Sequence, residues 1–586
     1  MRQWMVAAKK ADFYAIAEKF HVDPVVARII RNREVIGEKN IRIYLGGNLS
    51  DLSDPHQMKD MDRLVEILAQ KIRKQVHIRI IGDYDVDGVT SSHLFLTALR
   101  RVGAKVDVVI PHRIQDGYGL SLHLLQQAKE DGVDTILTCD NGIAAIDEIA
   151  WAKAQKMTVL VTDHHAVPFE EHEGRRTEKK SLADAVVNPH QQDCGYPYKE
   201  LCGAGVAWNV IRVLYENYDM DKREAEDLLD FVAMATVCDV MSLTGENRIL
   251  VKEGLKRIRH TKNIGLQALM QACNVQPENI SAYHFGYVLG PCVNATGRLD
   301  TARHALRLFE TGQETEAEEI ARDLVDLNQE RKELTLQGVE MAKKLCEEGG
   351  YENDPVLVLF LPDVHESIAG LIAGRIREVY NRPVFVLTRG EEGVKGSGRS
   401  TENYSMYENM CGCAELFTKF GGHPMAAGLS LPEENVEKFR RKINENCPLT
   451  VEEVCPDIHI DMAMPVGYAS TELVHQFALL EPFGKDNPSP LFADRNLSIS
   501  RMWVIGKNRN VLRMSVLSEY GQPVPVIFFG DVETLFAYFT EKFGQKEVEN
   551  ALHGRKNRIL FSMVYTAKID FYQGNENLQL EMKYYR

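Results

Sequence analysis

Three times between residues 76 and 165 an apolar, β-branched run stops at acids or histidines. VHIRIIG (76–82) meets Asp83-Tyr84-Asp85-Val86-Asp87-Gly88, DTILTC (134–139) meets Asp140-Asn141-Gly142, and MTVLVT (157–162) meets Asp163-His164-His165. Helical periodicity fills the intervals: VTSSHLFLTALRRVG (89–103), LSLHLLQQAKEDG (120–132) and IAAIDEIAWAKAQ (143–155). AKVDVVI (104–110) and ADAVVN (183–188) supply two further strands. Short buried strands alternating with amphipathic helices predict an α/β domain, a doubly wound parallel sheet with helices on both faces. In such a sheet ligands sit beyond the carboxyl ends of the strands. Parallel strands therefore bring the three polar clusters to one crevice.

Five or six carboxylates in one crevice repel one another and raise each other's pKa values, and divalent cations relieve that repulsion. Mixed carboxylate and imidazole donors suit Mn²⁺, Fe²⁺ or Zn²⁺, with Mg²⁺ where oxygen dominates. The two acids of D-Y-D can point the same way from extended backbone or reach two metals from one loop. Gly88 lets the chain turn into the next helix, whose N-terminus offers amides to an anion. A carboxylate-bridged metal pair is the usual apparatus for phosphoester hydrolysis. Any one of these acids alone reads as a turn former or helix cap; three successive strand ends together read as a metal centre.

Beyond about residue 205 the pattern is helical to about 275, and residues 302–348 predict a long connecting helix or helix pair ending at Gly349-Gly350. A second α/β region with DPVLVLFLP (354–362) and RPVFVLT (382–388) runs to about 445, and about 455–586 reads as short strands separated by turns, a small β-barrel or sandwich. A chain of 586 residues implies several cores. It has no run of 18 apolar residues and no signal-peptide core at its start, so a cytoplasmic protein is expected. Its eleven cysteines are scattered, and Cys411-Gly412-Cys413 lacks a second thiol pair for zinc. The net charge of −15, taken alone, argues against nonspecific polyanion binding. Local cations decide such binding, and Arg495, Arg501, Lys507, Arg509 and Arg513 surround Trp503 in the β-rich region. Aromatics among basic residues on a barrel suit stacking of single-stranded bases, against the plainer reading as core.

DYDVDG, CDNG, TDHH and ATVCDV (235–240) resemble the four motifs of the DHH phosphoesterases. LCGAGVAW (201–208), LTGENRILVKEGL (243–255), GPCVNATGRLD (290–300), GSGRS (396–400), FGGHPMAAGLS (420–430) and LEPFGKDNPSPLF (480–492) narrow the resemblance to the RecJ branch. It implies an exonuclease degrading single-stranded DNA 5′→3′ to 5′-mononucleotides with two Mn²⁺ or Mg²⁺ ions, in DNA repair and recombination. It implies a DHH catalytic domain (56–275) after an N-terminal helical segment (1–55), a connecting helical region (276–350), a DHHA1-type substrate-binding domain (351–450) and an OB-type barrel (451–586). Metal ligation falls to Asp83, Asp85, Asp140, His164 and Asp239, with Asp87 as a further candidate. His165 would stand by the scissile phosphate as the acid–base group, beside Asp140 and Asp85. Arg298, Ser397, Arg399 and His423 would hold DNA phosphates, including the 5′ end. A RecQ-type helicase and a single-stranded-DNA-binding protein are the implied partners of a monomer that touches no membrane.

The chain departs from the family pattern in places. DVHESIAGLIAGR (363–375) keeps His365 without the family's preceding Trp, Asp486 replaces a Gly in GKDNP, and Cys292 and Thr296 stand where Arg and Ala are usual. These leave the acids intact and bear on the grip of the strand. The alternatives are a DHH phosphodiesterase for short oligonucleotides or cyclic dinucleotides, whose relatives tend to lack the barrel, and a metal-free scaffold, which should have lost acids that this chain keeps.

Overall fold

The computed structural model describes residues 3–586 except 114–115, 118, 173–174, 391–392, 507–508 and 573. Lys507 of the basic stretch therefore lies outside the described residues. The chain divides into two units: residues 51–242 with 246–456, and residues 3–50 with 243–245 and 457–586.

In the first unit a five-stranded, wholly parallel sheet runs in the order Lys105–Val109, His77–Ile81, Thr135–Cys139, Thr158–Thr162, Ala185–Val187. Each strand lies within a predicted run. Ile81, Ile136, Val159 and Val161 pack against the Leu122–Glu130 and Ile146–Ala154 helices. Strand parity turns Ile78, Ile80, Leu137 and Leu160, all buried, to the opposite face, where the Val86–Arg101 and Gly203–Asn217 helices lie. The chain starts at His77–Ile81, steps to one side, then returns to Thr135–Cys139 on the other. The strand order reverses between those two strands, and their carboxyl ends carry Asp83–Asp87 and Asp140. An open α/β sheet binds its ligand at that reversal.

The region read as a long helix or helix pair resolves into Arg303–Glu310 and the 35-residue Glu314–Glu348 helix, about 50 Å long at 1.5 Å per residue. A second five-stranded sheet follows in the order Lys419–His423, Ala426–Leu431, Gly393–Arg399, Val384–Gly390, Leu357–Phe360. The Glu366–Tyr380 helix covers one face through Ile368, Ile372 and Ile376, and Val436–Glu445 covers the other through Phe439 and Ile443.

In the second unit Phe492–Ile505, Val511–Leu517, Pro523–Phe529, Asn575–Tyr585 and Leu560–Tyr572 pair in turn, and the last pairs back on the first, so the five strands form a ring. Two features differ from the sequence reading. The two strands that close the ring, Phe492–Ile505 and Leu560–Tyr572, are 14 and 13 residues long rather than short, and the Val532–Phe543 and Gln545–Leu552 helices interrupt a region read as strands and turns. The N-terminal helices share the barrel's core: Val26, Ile29, Ile30 and Tyr44 join Leu480, Phe492, Phe539 and Tyr565. Trp4–Val6 also pairs in parallel with Ile458–Ile460. No helix among the described residues is long and apolar enough to cross a membrane.

Candidate active site

The strand ends deliver what their spacing promised. One oxygen each from Asp83, Asp85 and Asp140 lie within 4.8 Å of one another, as do donor atoms of Asp140, His164 and His165, and of Asp87, His164 and Asp239. His164 Nε2 is central, 3.1 Å from Asp140 Oδ1 and 3.6 Å from both Asp87 Oδ2 and Asp239 Oδ2. All six candidate metal ligands are therefore brought together.

Local backbone explains the placement. The Val86–Arg101 helix begins inside DYDVDG, three residues before the predicted start, with Asp85 as its N-cap accepting from Gly88 N. Gly88 serves close packing rather than the turn into the helix: a Cβ there would lie 2.4 Å from Asp83 O. In CDNG, Asp140 has φ +61° and Gly142 φ +107°, so the turn is left-handed on both sides of Asn141. Asn141 fixes it by donating to the carbonyls of Ile81 and Cys139. Gly203 of LCGAG meets Asp140 so closely that a Cβ would stand 2.6 Å from Asp140 Cβ. Asp87 accepts from Gly203 N (2.6 Å) and Ala204 N (2.8 Å), so it caps the Gly203–Asn217 helix while its Oδ2 borders the cluster.

The electrostatics are those of a site built for positive charge. Burial first, then the charge of Asp85, pushes the Asp83 carboxyl well above its ordinary value. Burial, then Asp87, Asp85, Asp239 and Asp83, does the same to Asp140, and burial with Asp87 raises Asp85. Burial lowers the His164 imidazole, which favours the neutral ligating form. Both Asp83 oxygens and His164 Nε2 are buried without a hydrogen bond. Mutually repelling carboxylates, a neutral imidazole and buried donor atoms left unsatisfied fit divalent cations.

Asp163 has a separate role that its place in the triplet did not disclose. It accepts from the backbone of Ile143, His164 and His165, and from His165 Nδ1 at 2.7 Å. It thus fixes the His165 ring through Nδ1; the side chain is 40% exposed. Burial works against the charged imidazole, but the Asp163 hydrogen bond and charge outweigh it and lift His165 to about 9.

Asp83, Tyr84, Asp85, Asp239, Arg113 and Arg298 line a cleft of about 290 Å³. A second cleft of about 430 Å³ is lined by Tyr84, Arg113, Ser397, Lys395, Lys419 and Gly421, among others. Tyr84 and Arg113 belong to both, so the clefts adjoin. Arg113 lies over the Tyr84 ring at 4.9 Å. Neither Tyr84, inside DYDVDG, nor Arg113, just after a strand, carries a local sequence signal of this role. Arg298 is positioned by close packing: a Cβ on Gly297 would strike Tyr84 O at 2.4 Å, and Asn294 Oδ1 accepts from Val86 N. Its guanidinium donates to Ser367 O at 2.6 Å. Burial, then Arg113, Arg331 and Arg399, drops it to about 10, and burial with Arg377 and Arg113 lowers Arg399. Mutual repulsion of this kind among buried arginines fits an anion between them.

Ser397 and Arg399 share one sheet face. Arg399 pairs with Ala426, which pairs with His423, and Ser397 pairs with Gly428, which pairs with Gly421. In-register neighbours point the same way, so Ser397, Arg399 and His423 stand on that face. A Cβ on Gly421 would meet nothing within 4 Å, which leaves bare backbone beside Ser397. His365 caps the Glu366–Tyr380 helix, with Nδ1 toward Ser367. Asp486 has φ +59°, the left-handed conformation that explains the family's Gly there. On the barrel Trp503 is 37% exposed with Arg501 5.7 Å from its ring, and it lines a cavity of about 300 Å³ with Arg513.

Comparison with known proteins agrees with this arrangement. Residues 77–236 match the DHH family N-terminal domain, 353–447 the DHHA1 domain and 460–584 the RecJ OB domain. A single-stranded-DNA-specific exonuclease RecJ of Haemophilus influenzae is 32% identical over 96% of this chain and 96% of its own length. The Bacillus subtilis protein of that name is 33% identical over 87% of this chain, which spans 63% of that relative. The crystal structure of RecJ in complex with Mn²⁺ from Thermus thermophilus is similar with a TM-score of 0.81 at 25% identity, covering 100% of this chain and 79% of that one.

Proposed function

The chain belongs to the RecJ family, and on that premise we propose that it is a metal-dependent exonuclease degrading single-stranded DNA from the 5′ end to 5′-mononucleotides. One observation carries the reading: the acid cluster opens through Tyr84 and Arg113 into a cationic cleft on the second sheet. Residues 56–275 hold the acids, 351–450 the phosphate-holding sheet and 451–586 the barrel.

Asp83, Asp85, Asp140, His164 and Asp239 would hold two Mn²⁺ or Mg²⁺ ions, with Asp87 at the edge as helix cap. When bound, such ions neutralise the carboxylates, polarise the phosphate and acidify water for attack. Arg298 and Arg113 bind the phosphate at the acidic cleft and orient it. His165, fixed through Nδ1 by Asp163, carries the proton exchanged at the scissile phosphate on Nε2. Ser397, Arg399 and His423 hold the terminal 5′ phosphate, and Gly421 lets the strand approach the backbone. Burial of the acid cluster keeps bulk water from screening these charges. Trp503 with Arg501 and Arg513 stacks bases of a long strand. The reading calls for a monomer in the cytoplasm, with a RecQ-type helicase to supply single strands and a single-stranded-DNA-binding protein to present them.

Digestion of long strands labelled at either end, with Mn²⁺ and with chelator, tests this. Labelled mononucleotide should leave the 5′ end first and only with metal. Release from the 3′ end, or turnover in excess chelator, refutes it.

A further inference from the structure

Eleven cysteines are free, and two face each other: Cys273 Sγ and Cys292 Sγ lie 3.8 Å apart. Neither takes part in the chemistry above. Cys273 ends the Ile264–Ala272 helix and is partly exposed; Cys292 is buried in the first turn of the Gly290–Leu299 helix, two residues before Asn294. Asn328, itself buried, donates to Cys292 Sγ at 3.4 Å, and its Oδ1 is held by Arg331 at 2.9–3.0 Å. The hydrogen bond with Cys292, then Lys332, holds the Cys273 thiol below its usual range. A partly exposed thiol held below its usual range thus faces, at 3.8 Å, a buried second thiol with its own donor.

We propose that Cys273 and Cys292 form a peroxide-reactive dithiol that closes reversibly into a disulfide. The Cys273 thiolate attacks one peroxide oxygen and the O–O bond breaks. Cys273 becomes a sulfenic acid, and the departing hydroxide takes the thiol's proton to become water. Cys292 sulfur then attacks the sulfenic sulfur; S–S forms, S–O breaks, and hydroxide leaves as water with the Cys292 proton. Two thiols and one hydrogen peroxide give one disulfide and two waters. Bonding at about 2.05 Å requires the sulfurs to close by roughly 1.8 Å. Cys273 has room to give, since it stands at a helix end followed by Asn274 at φ +55°. The bond would tie the helix carrying Asn294 and Arg298 to its neighbour.

Full-length protein is titrated with hydrogen peroxide, free thiols are alkylated, and non-reduced peptides are mapped by mass. The Cys273–Cys292 cross-link should form at peroxide concentrations at least about 10-fold below those that oxidise exposed Cys411, and dithiothreitol should reverse it. Cys292→Ser should leave a Cys273 sulfenic acid trapped by dimedone at the same low dose. Oxidation of Cys411 first, or sulfinic acid at Cys273 of the wild type without a cross-link, overturns the proposal.

Discussion

Replacing Asp140 with Asn should abolish cleavage and, in metal-free protein, raise stability. The side chain keeps its size, and Asn accepts the left-handed φ of +61° as readily as Asp. What changes is charge. Asp140 is 2% exposed, and one of its oxygens lies within 4.8 Å of oxygens on Asp83 and Asp85. At that separation and an effective dielectric constant near 20, each like-charge pair costs about 3 kcal/mol. Proton uptake by the folded cluster caps that penalty, so the net gain at pH 8 should be on the order of 2 kcal/mol. The sign follows from the raised carboxyls. They hold protons in the folded state that the unfolded chain has released, so they lower stability as pH rises from the ordinary carboxylate range. At 2.1 cal/mol/K per residue over roughly 400 residues, 2 kcal/mol moves Tm by about 2–3 °C. Thermal melts in chelator at pH 5 and pH 8 would give the shift at pH 8, shrinking at pH 5. Mn²⁺ should raise the wild-type Tm, by an amount equivalent to about 2.7 kcal/mol per site at 100 Kd, and raise the variant's less. A variant less stable than wild type at pH 8 in chelator would refute the argument from repulsion, and near-wild-type cleavage would refute the ligand assignment.

Other expectations follow from single contacts. Asp163→Asn should lower kcat about 10–100-fold at unchanged KM, because His165 loses the carboxylate that orients it; equal losses in Asp163→Ala and His165→Ala single-turnover rates would support the same coupling, and an unaffected kcat would end it. Trp503→Ala should weaken long single strands by about 10–100-fold in titrations at moderate salt and spare cleavage of short oligonucleotides. At position 486, Gly should match wild type within about 0.5 kcal/mol whereas Ala should cost about 1 kcal/mol, read as melting temperatures, because φ is +59° there. His93 lies 4.5 Å from Phe231 and 5.8 Å from Phe309, and burial pushes it down to about 3. Its folded form stays neutral while the unfolded form gains a proton below about 6.5, so it removes stability on acidification. His93→Leu should flatten the loss between pH 7 and pH 5 by about 2 kcal/mol in melts of metal-free protein.

The α/β alternation, the three polar strand ends and hence the gathering of acids and histidines were legible in the chain, because strand periodicity is local and a parallel sheet aligns every carboxyl end on one edge. The register of Ile81, Cys139 and Thr162 with their neighbours bears this out. Helix starts were less legible: the cap reading open to any single acid falls on Asp85, the N-cap that begins its helix three residues earlier than the periodicity gives. Roles that depend on remote partners were hidden. Asp87 caps a helix that begins at Gly203, Tyr84 and Arg113 join two clefts built from two sheets, and Asp163 acts through a ring two residues away. The N-terminal helices, set apart at 1–55 by the family resemblance, pack into the barrel's core. An amphipathic helix declares that it must bury one face but not which surface will cover it. Residue types and their spacing determined what chemistry could gather here; only the packed chain decided which acids and histidines meet at the strand ends, which residues orient them, and what the apolar faces meet.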